Sequence, residues 1–227
     1  RNTAPCILLS ALKINKENPK ASMIVAPSDH WIEDEEAFAK DVNKAFEACF
    51  HKDLLVTLGI TPTFPNTGYG YIKYDKHSED TLKSVEKFTE KPDYASAQSF
   101  LREGNYLWNA GIFICKTSFI IDQFQNHLPD MFDLFNQGWA KLNTTDEEAF
   151  LKDNYLNSES ISIDYGILEK TKHVGVIEAT FDWSDLGTWG SLHDQLDKDD
   201  NDNVSINARS EFIDSSNNIL RTTKGKI

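Results

Sequence analysis

Ser22-Met23-Ile24-Val25-Ala26-Pro27-Ser28-Asp29-His30 is the stretch on which the fold turns. Its first five residues make a short continuous apolar run, as expected of a strand buried on both faces of a parallel sheet, and Pro27 breaks it. Upstream, Ala4 to Ile14 carries apolar residues at helical spacing until Asn18-Pro19, where proline removes a donor. Downstream, Phe38, Val42, Ala45, Phe46 and Cys49 trace one helical face behind a plausible N-cap at Asp34, and Leu54 to Ile60 follows as a second buried strand. Strand, helix and strand with short connections predict a right-handed βαβ unit, and hence an α/β, Rossmann-like fold with a mixed, mainly parallel sheet flanked by helices.

The mixed character comes from the segment between Thr61 and Lys91. Tyr-Gly-Tyr-Ile-Lys-Tyr and Leu-Lys-Ser-Val-Glu-Lys-Phe alternate in part there, which predicts antiparallel strands. Asp93 to Glu103 reads as a helix ended by Gly104, Leu107 to Cys115 as a strand, and Thr117 to Leu142 as helical segments broken at Pro129. Further helices are expected over Asp146 to Tyr155, Asp164 to Lys170 and Trp189 to Leu196, with a strand over Val174 to Ala179. After Asp197 the sequence becomes rich in Asp and Asn. Short apolar pairs follow at Val204-Ile206, Phe212-Ile213 and Ile219-Leu220, so residues 1–196 read as one domain and 197–227 as a linker entering β structure.

Composition narrows the function. The formal net charge of -13 opposes a polyanion, so nucleic acid is not an expected partner. A phosphorylated small molecule would need local neutralisation by a metal ion, a lysine or backbone N–H groups. Cys6, Cys49 and Cys115 are odd in number and lack C-x-x-C spacing, which favours reduced, cytosolic thiols over disulfides or zinc. No apolar run approaches the roughly 20 residues that a membrane span needs, so no membrane partner is expected.

Asp29 lies just past the carboxyl end of a strand, where open α/β sheets bind ligands, a position that favours function over the lesser alternative of capping the next turn. His30 reads better as a hydrogen-bonded neighbour than as a metal ligand. Asp185, in Trp183-Ser184-Asp185-Leu186-Gly187, could be the N-terminal acid of the following helix. If it converges on Asp29, the two carboxylates could hold one Mg²⁺. Glu90-Lys91 pairs an acceptor-only group with a compact cation, suited to a sugar hydroxyl and a phosphate. Thr67-Gly68-Tyr69-Gly70 allows close backbone approach or is simply a turn, and Asn109, inside an apolar strand, needs a protein or ligand partner. Asp197 to Asn203 lacks the glycine and glutamate of an EF-hand and reads as a solvated linker.

Taken in order, these motifs resemble the mannose-1-phosphate guanylyltransferases of the nucleotide-sugar pyrophosphorylase family. The resemblance rests on Arg1-Asn2-Thr3-Ala4-Pro5, Pro27-Ser28-Asp29-His30, Thr67-Gly68-Tyr69-Gly70-Tyr71-Ile72, Phe88-Thr89-Glu90-Lys91-Pro92-Asp93, Leu107-Trp108-Asn109-Ala110-Gly111, Ser162-Ile163-Asp164-Tyr165 and Trp183-Ser184-Asp185-Leu186-Gly187-Thr188-Trp189. It implies formation of GDP-mannose and pyrophosphate from GTP and mannose 1-phosphate. Asp29 and Asp185 would bind Mg²⁺ and, with Lys91, serve catalysis. Arg1, Asn2, Thr3, Pro27, Ser28 and Asp29 would line the nucleotide, while Gly70, Glu90, Lys91 and Asn109 would hold the sugar phosphate.

The resemblance also implies a first βαβ portion with a Gly-rich loop, on the order of 30 residues, ahead of Arg1. Without it, the chain alone is expected to be inactive. It further implies that the tail begins a left-handed β-helix, and it leaves room for a homodimer. A non-catalytic nucleotide-sugar-binding relative, and a transferase for another base or sugar, are the alternative readings.

Overall fold

Asn2 starts the first helix, α1 (Thr3–Glu17), its Oδ1 accepting the Thr3 N–H at 2.9 Å. Ala4, Ile7, Leu8, Ala11 and Leu12 form the buried stripe of that helix, and a fully buried leucine contributes roughly 1.5–3 kcal/mol. The computed structural model describes residues 1–223. These fall into two units, residues 1–27 with 34–181, and residues 28–33 with the chain from 182 onward.

In the first unit, α1 leads to β1 (Ser22–Val25), and the unit resumes at α2 (Glu35–His51), which follows a two-residue strand of the second unit, β2 (Trp31–Ile32). Next come β3 (Leu55–Ile60), β4 (Tyr71–Tyr74), β5 (Leu82–Thr89), α3 (Tyr94–Glu103), β6 (Tyr106–Lys116), α4 (Thr117–His127), α5 (Pro129–Asn136), α6 (Glu147–Asn154) and β7 (Val174–Glu178). Helix ends follow local chemistry. Asp34 caps α2 by accepting from Ala37, and Asp93 caps α3 by accepting from Ser96. Gly104 ends α3 at φ 67°, a left-handed conformation that glycine adopts without a Cβ penalty.

The six strands pair in the order β1-β6-β3-β7-β5-β4, with β4 also bonded to β6. Only β3 and β7 run parallel; every other pairing in this sheet is antiparallel. The expectation of a mainly parallel sheet is therefore corrected to a mixed, mostly antiparallel one. The βαβ pattern did identify strands pointing the same way, since β1 and β3 are both antiparallel to β6. The eleven-residue β6, arriving later in the chain, inserts between them. For the same reason β1 is an edge strand, with Ile24 39% exposed rather than buried on both faces.

Alternation along the strands divides the core. Leu55, Leu107, Phe113, Cys115 and Val176 join α1, α4 and α5 in the main cluster. Trp108 and Tyr106 point to the opposite face, where they pack with Tyr71 and with Ala97 of α3. Cys49 and Cys115 are buried free thiols; burial pushes the Cys49 thiol up to about 11 and that of Cys115 higher, which suppresses reactive thiolate. Asp164–Leu168 forms a π-helical turn rather than the longer helix expected over Asp164 to Lys170.

The second unit pairs β2 with β8 (Trp183–Ser184) in antiparallel fashion, then adds α7 (Trp189–Gln195) and the parallel strands β9 (Val204–Ile206) and β10 (Ile219–Arg221). Phe212-Ile213 forms no strand, and Ile213 is exposed. The Asp197–Asn203 stretch is more ordered than a solvated linker. Asp199 accepts from the Asn201 and Asn203 backbone, and Asn203 is buried against Ser215 and Asn218. Of the left-handed β-helix expected of the tail, the described residues show only one parallel strand pair, which does not by itself make a coil of such a helix; residues 224–227 of that segment lie outside the described residues. Among the described residues no helix is long and apolar enough to cross a membrane.

Candidate functional site

Gly70, Glu90 and Asn109 come from three separate stretches, yet the first unit gathers them at one spot. Gly70 immediately precedes β4, Glu90 immediately follows β5, and Asn109 sits within β6. The Asn109 N–H donates to the Gly70 carbonyl at 2.8 Å. A methyl group placed on Gly70 would fall 2.5 Å from Glu90 Oε2 and 3.4 Å from Asn109 Cβ, so the missing side chain is the space that Glu90 occupies. The glycine thus makes room for a carboxylate.

Asn109 finds its partners within the protein. Its Oδ1 accepts from Thr57 Oγ1 at 3.0 Å and from the Gly111 N–H at 3.2 Å, and its Nδ2 donates to Asp164 Oδ1 at 3.1 Å. An irregularity in the β3–β6 ladder makes this possible, because Thr57 opposes Phe113 while Gly59 opposes Asn109. Gly111, at φ 69°, supplies the left-handed residue that such a bulge needs.

Asp164 is the residue that sequence reasoning missed. Its one signal was its place in Ser162-Ile163-Asp164-Tyr165, which pointed to no chemistry by itself. Burial holds the Asp164 carboxyl above its ordinary range, against hydrogen bonds from its own backbone, Ser162 and Asn109 and the charge of Lys91. Glu90 is raised as well, by burial first, then by the Asp164 charge, with Lys91 opposing. Lys91 Nζ stands 3.5 Å from Glu90 Oε1, and its backbone is left-handed at φ 44°. The cluster therefore combines two desolvated carboxylates, one amide and one exposed ammonium.

Arg1, Thr3 and Ala4 are tied to the chain just before Asp164, whereas the Asn2 side chain caps α1. The Arg1 guanidinium bonds the Leu156 carbonyl, the Ala4 N–H bonds the Ile161 carbonyl at 3.1 Å, and Thr3 Oγ1 accepts from the Ile163 N–H at 2.9 Å. Pro27 and Ser28 are exposed in the loop after β1.

In the second unit, Asp29 and Asp185 flank the short β2–β8 ladder, whose register pairs Trp31 with Ser184. Burial lowers the His30 pKa, outweighing the charges of Asp29 and Asp185, which both act to raise it. His30 is a hydrogen-bonded neighbour, accepting from Trp183 Nε1 at 3.1 Å through Nδ1. Asp185 does not cap the following helix: Thr188 caps α7 through a reciprocal box with Ser191. Instead Asp185 Oδ1 accepts the Gly187 N–H at 2.9 Å, across Leu186 at φ 49°. Asp34 caps α2, as its place in the sequence predicts.

No group of three or more metal-ligating side chains occurs among the described residues. Two carboxylates suit Mg²⁺, which keeps waters and phosphate oxygens in its shell, far better than a cation needing a full protein cage. Asp29 and Asp185 are two acids of the chemical type that such an ion would use.

A mixed sheet covered by helices, with polar side chains collected at its strand ends and in a strand bulge, defines a Rossmann-like α/β protein. Residues 1–202 match the family model described as Nucleotidyl transferase, and the chain belongs to that family. It is 39% identical over 205 residues to the Xanthan biosynthesis protein XanB of Xanthomonas campestris pv. campestris (strain B100), covering 90% of this chain and 43% of that protein. It is 36% identical over 207 residues to the mannose-1-phosphate guanylyltransferase RfbM of Salmonella typhimurium, again covering 90% of this chain and 43% of the relative. The chain thus spans less than half the length of these relatives. Among solved structures it resembles mannose-1-phosphate geranyltransferase from Thermus thermophilus, with a TM-score of 0.78, 30% identity, and coverage of 98% of this chain and 65% of that one.

Proposed function

We propose that this chain forms the nucleotidyl-transfer part of a mannose-1-phosphate guanylyltransferase. A phosphate oxygen of mannose 1-phosphate attacks the α-phosphorus of GTP, the bond from that phosphorus to the bridging oxygen breaks, and pyrophosphate leaves with that oxygen to give GDP-mannose. The observation that carries the reading is the convergence of Gly70, Glu90 and Asn109, an acceptor beside an amide, as a polyol ligand requires. Membership of the nucleotidyl transferase family and the likeness to RfbM support the choice of substrates.

In this reading Glu90 accepts a hydrogen bond from a sugar hydroxyl, and the Lys91 ammonium faces the sugar's phosphate. Arg1, Asn2, Thr3, Pro27 and Ser28 line the nucleotide. Asp29 and Asp185 would hold Mg²⁺, which supplies neutralisation of charge on the phosphate oxygens. The protein's remaining contribution is orientation of two anionic reactants that would otherwise repel one another. The free thiols agree with a reducing, cytosolic compartment. The parallel β9–β10 pair, with Asn218 bonded to Asn203 one strand below, supports the tail as the first coil of a β-solenoid.

The test is pyrophosphate release by the full-length protein given GTP, mannose 1-phosphate and Mg²⁺. Asp29→Asn and Asp185→Asn are each expected to abolish turnover and to weaken Mg²⁺-dependent GTP binding by calorimetry, with unchanged thermal unfolding. GDP-mannose binding without any turnover in the full-length protein would refute catalysis and indicate a binding relative.

A further inference from the structure

Thr57 is the single hydroxyl residue in β3, whose sequence is otherwise apolar or glycine, and its side chain is fully buried. A buried hydroxyl requires a partner, and Thr57 spends its hydrogen on Asn109 Oδ1. The Gly111 N–H donates to the same oxygen, so both lone pairs of the amide oxygen are engaged. Of the two Nδ2 hydrogens, one goes to Asp164 Oδ1. The opposite amide orientation is excluded chemically. It would set an NH₂ group against the fixed Gly111 N–H, and an oxygen against the Asp164 carboxylate. What remains to Asn109 is one N–H and no acceptor.

We infer that Thr57 and Asp164 are positioning residues that lock the Asn109 amide as a one-way donor, so that it binds a ligand hydroxyl only through that hydroxyl's oxygen while Glu90 accepts the hydroxyl's proton. This rests on the sugar-phosphate reading of the site and deepens it. A hydroxyl both donates and accepts, so it satisfies both side chains; a deoxy carbon at that position satisfies neither the remaining Asn109 N–H nor the Glu90 oxygen. A free, flipping amide would discriminate less, since it could offer either end.

The experiment uses the full-length protein with Thr57→Val, which keeps the β-branched shape, Thr57→Ser, which restores the hydroxyl, and Asp164→Asn. Steady-state kcat and KM are measured for GTP, for mannose 1-phosphate and for a set of its monodeoxy analogues. Thr57→Val is expected to raise KM for mannose 1-phosphate about tenfold with kcat and the KM for GTP nearly unchanged, and Thr57→Ser to restore most of the loss. Asp164→Asn is expected to raise the same KM. On the one deoxy analogue lacking the contacted hydroxyl, wild type and Thr57→Val should become equal, because the interaction that Thr57 orients no longer exists. An equal Thr57→Val penalty on every analogue, or on GTP as much as on sugar, would show a merely structural role and overturn the inference, as would a variant indistinguishable from wild type on mannose 1-phosphate. Absence of turnover and of mannose 1-phosphate binding in the wild type would instead overturn the sugar-phosphate reading beneath it.

Discussion

Replacing Gly70 with alanine tests whether an absent side chain positions the Glu90 carboxylate. The new methyl would lie 2.5 Å from Glu90 Oε2 and 3.0 Å from Phe88 Cζ. Since real Cβ contacts essentially never fall below 3.0 Å, the carboxylate must retreat by roughly half an ångström or leave its rotamer. A misplacement of about 1 Å can cost a hundredfold in rate, so half of that predicts about a tenfold loss in kcat/KM for mannose 1-phosphate, about 1.4 kcal/mol. Crowding of Phe88 adds about 1 kcal/mol of destabilisation, a fall in Tm of roughly 2–4 °C for a chain of this size. The assay is pyrophosphate release at varied sugar phosphate, with thermal unfolding alongside. In a Glu90→Ala background the obstacle is gone, and Gly70→Ala should then change kcat/KM little. Wild-type kinetics for Gly70→Ala, or an equal loss in both backgrounds, would refute the steric account.

The remaining predictions concern charge, the second unit and stability. Glu90 has a folded pKa above its unfolded value, so its stabilising contribution is complete below the unfolded pKa and is lost as pH rises through the folded one. Glu90→Gln should therefore raise Tm at pH 8 while impairing sugar binding, with the Tm gain shrinking towards pH 4; a gain that grows in acid would reverse the assigned sign. Gly187→Ala would place a methyl 2.7 Å from Asp185 Oδ2, and should raise the Mg²⁺ concentration needed for half-maximal turnover several-fold with little change in Tm. An unaltered Mg²⁺ titration would count against Asp185 being held by that glycine. Asp41, buried on α2, accepts from the Thr180 N–H at 2.7 Å and from Thr180 Oγ1 at 2.9 Å and pairs with Lys44, so Asp41→Ala should cost about 2–4 kcal/mol by denaturant unfolding. A cost under 0.5 kcal/mol would mean that these groups are satisfied equally well without it.

Sequence alone determined what local physics controls. The apolar period of 3.6 over Thr3–Glu17, the caps at Asp34 and Asp93 and the glycine after Glu103 fix helix limits within a few residues of one another, so each could be read in place. Asn109 was visible for a similar reason, since an amide inside an apolar strand is conspicuous in one dimension, whereas Gly70 and Glu90 stood out only through the motifs that carry the family resemblance. The sheet order was not legible. A strand's own residues do not record which neighbour inserts beside it, and β6 separates β1 from β3 through hydrogen bonds between backbones some 90 residues apart along the chain. Thr57 and Asp164 were equally hidden. Thr57 resembles any threonine in a strand, Asp164 any acid at a helix start, and the meaning of each arises from a 3 Å contact with Asn109 that only the folded bulge in β6 creates. Local propensity thus wrote the elements into the sequence, whereas the pairing of distant backbone groups decided which side chains share a site.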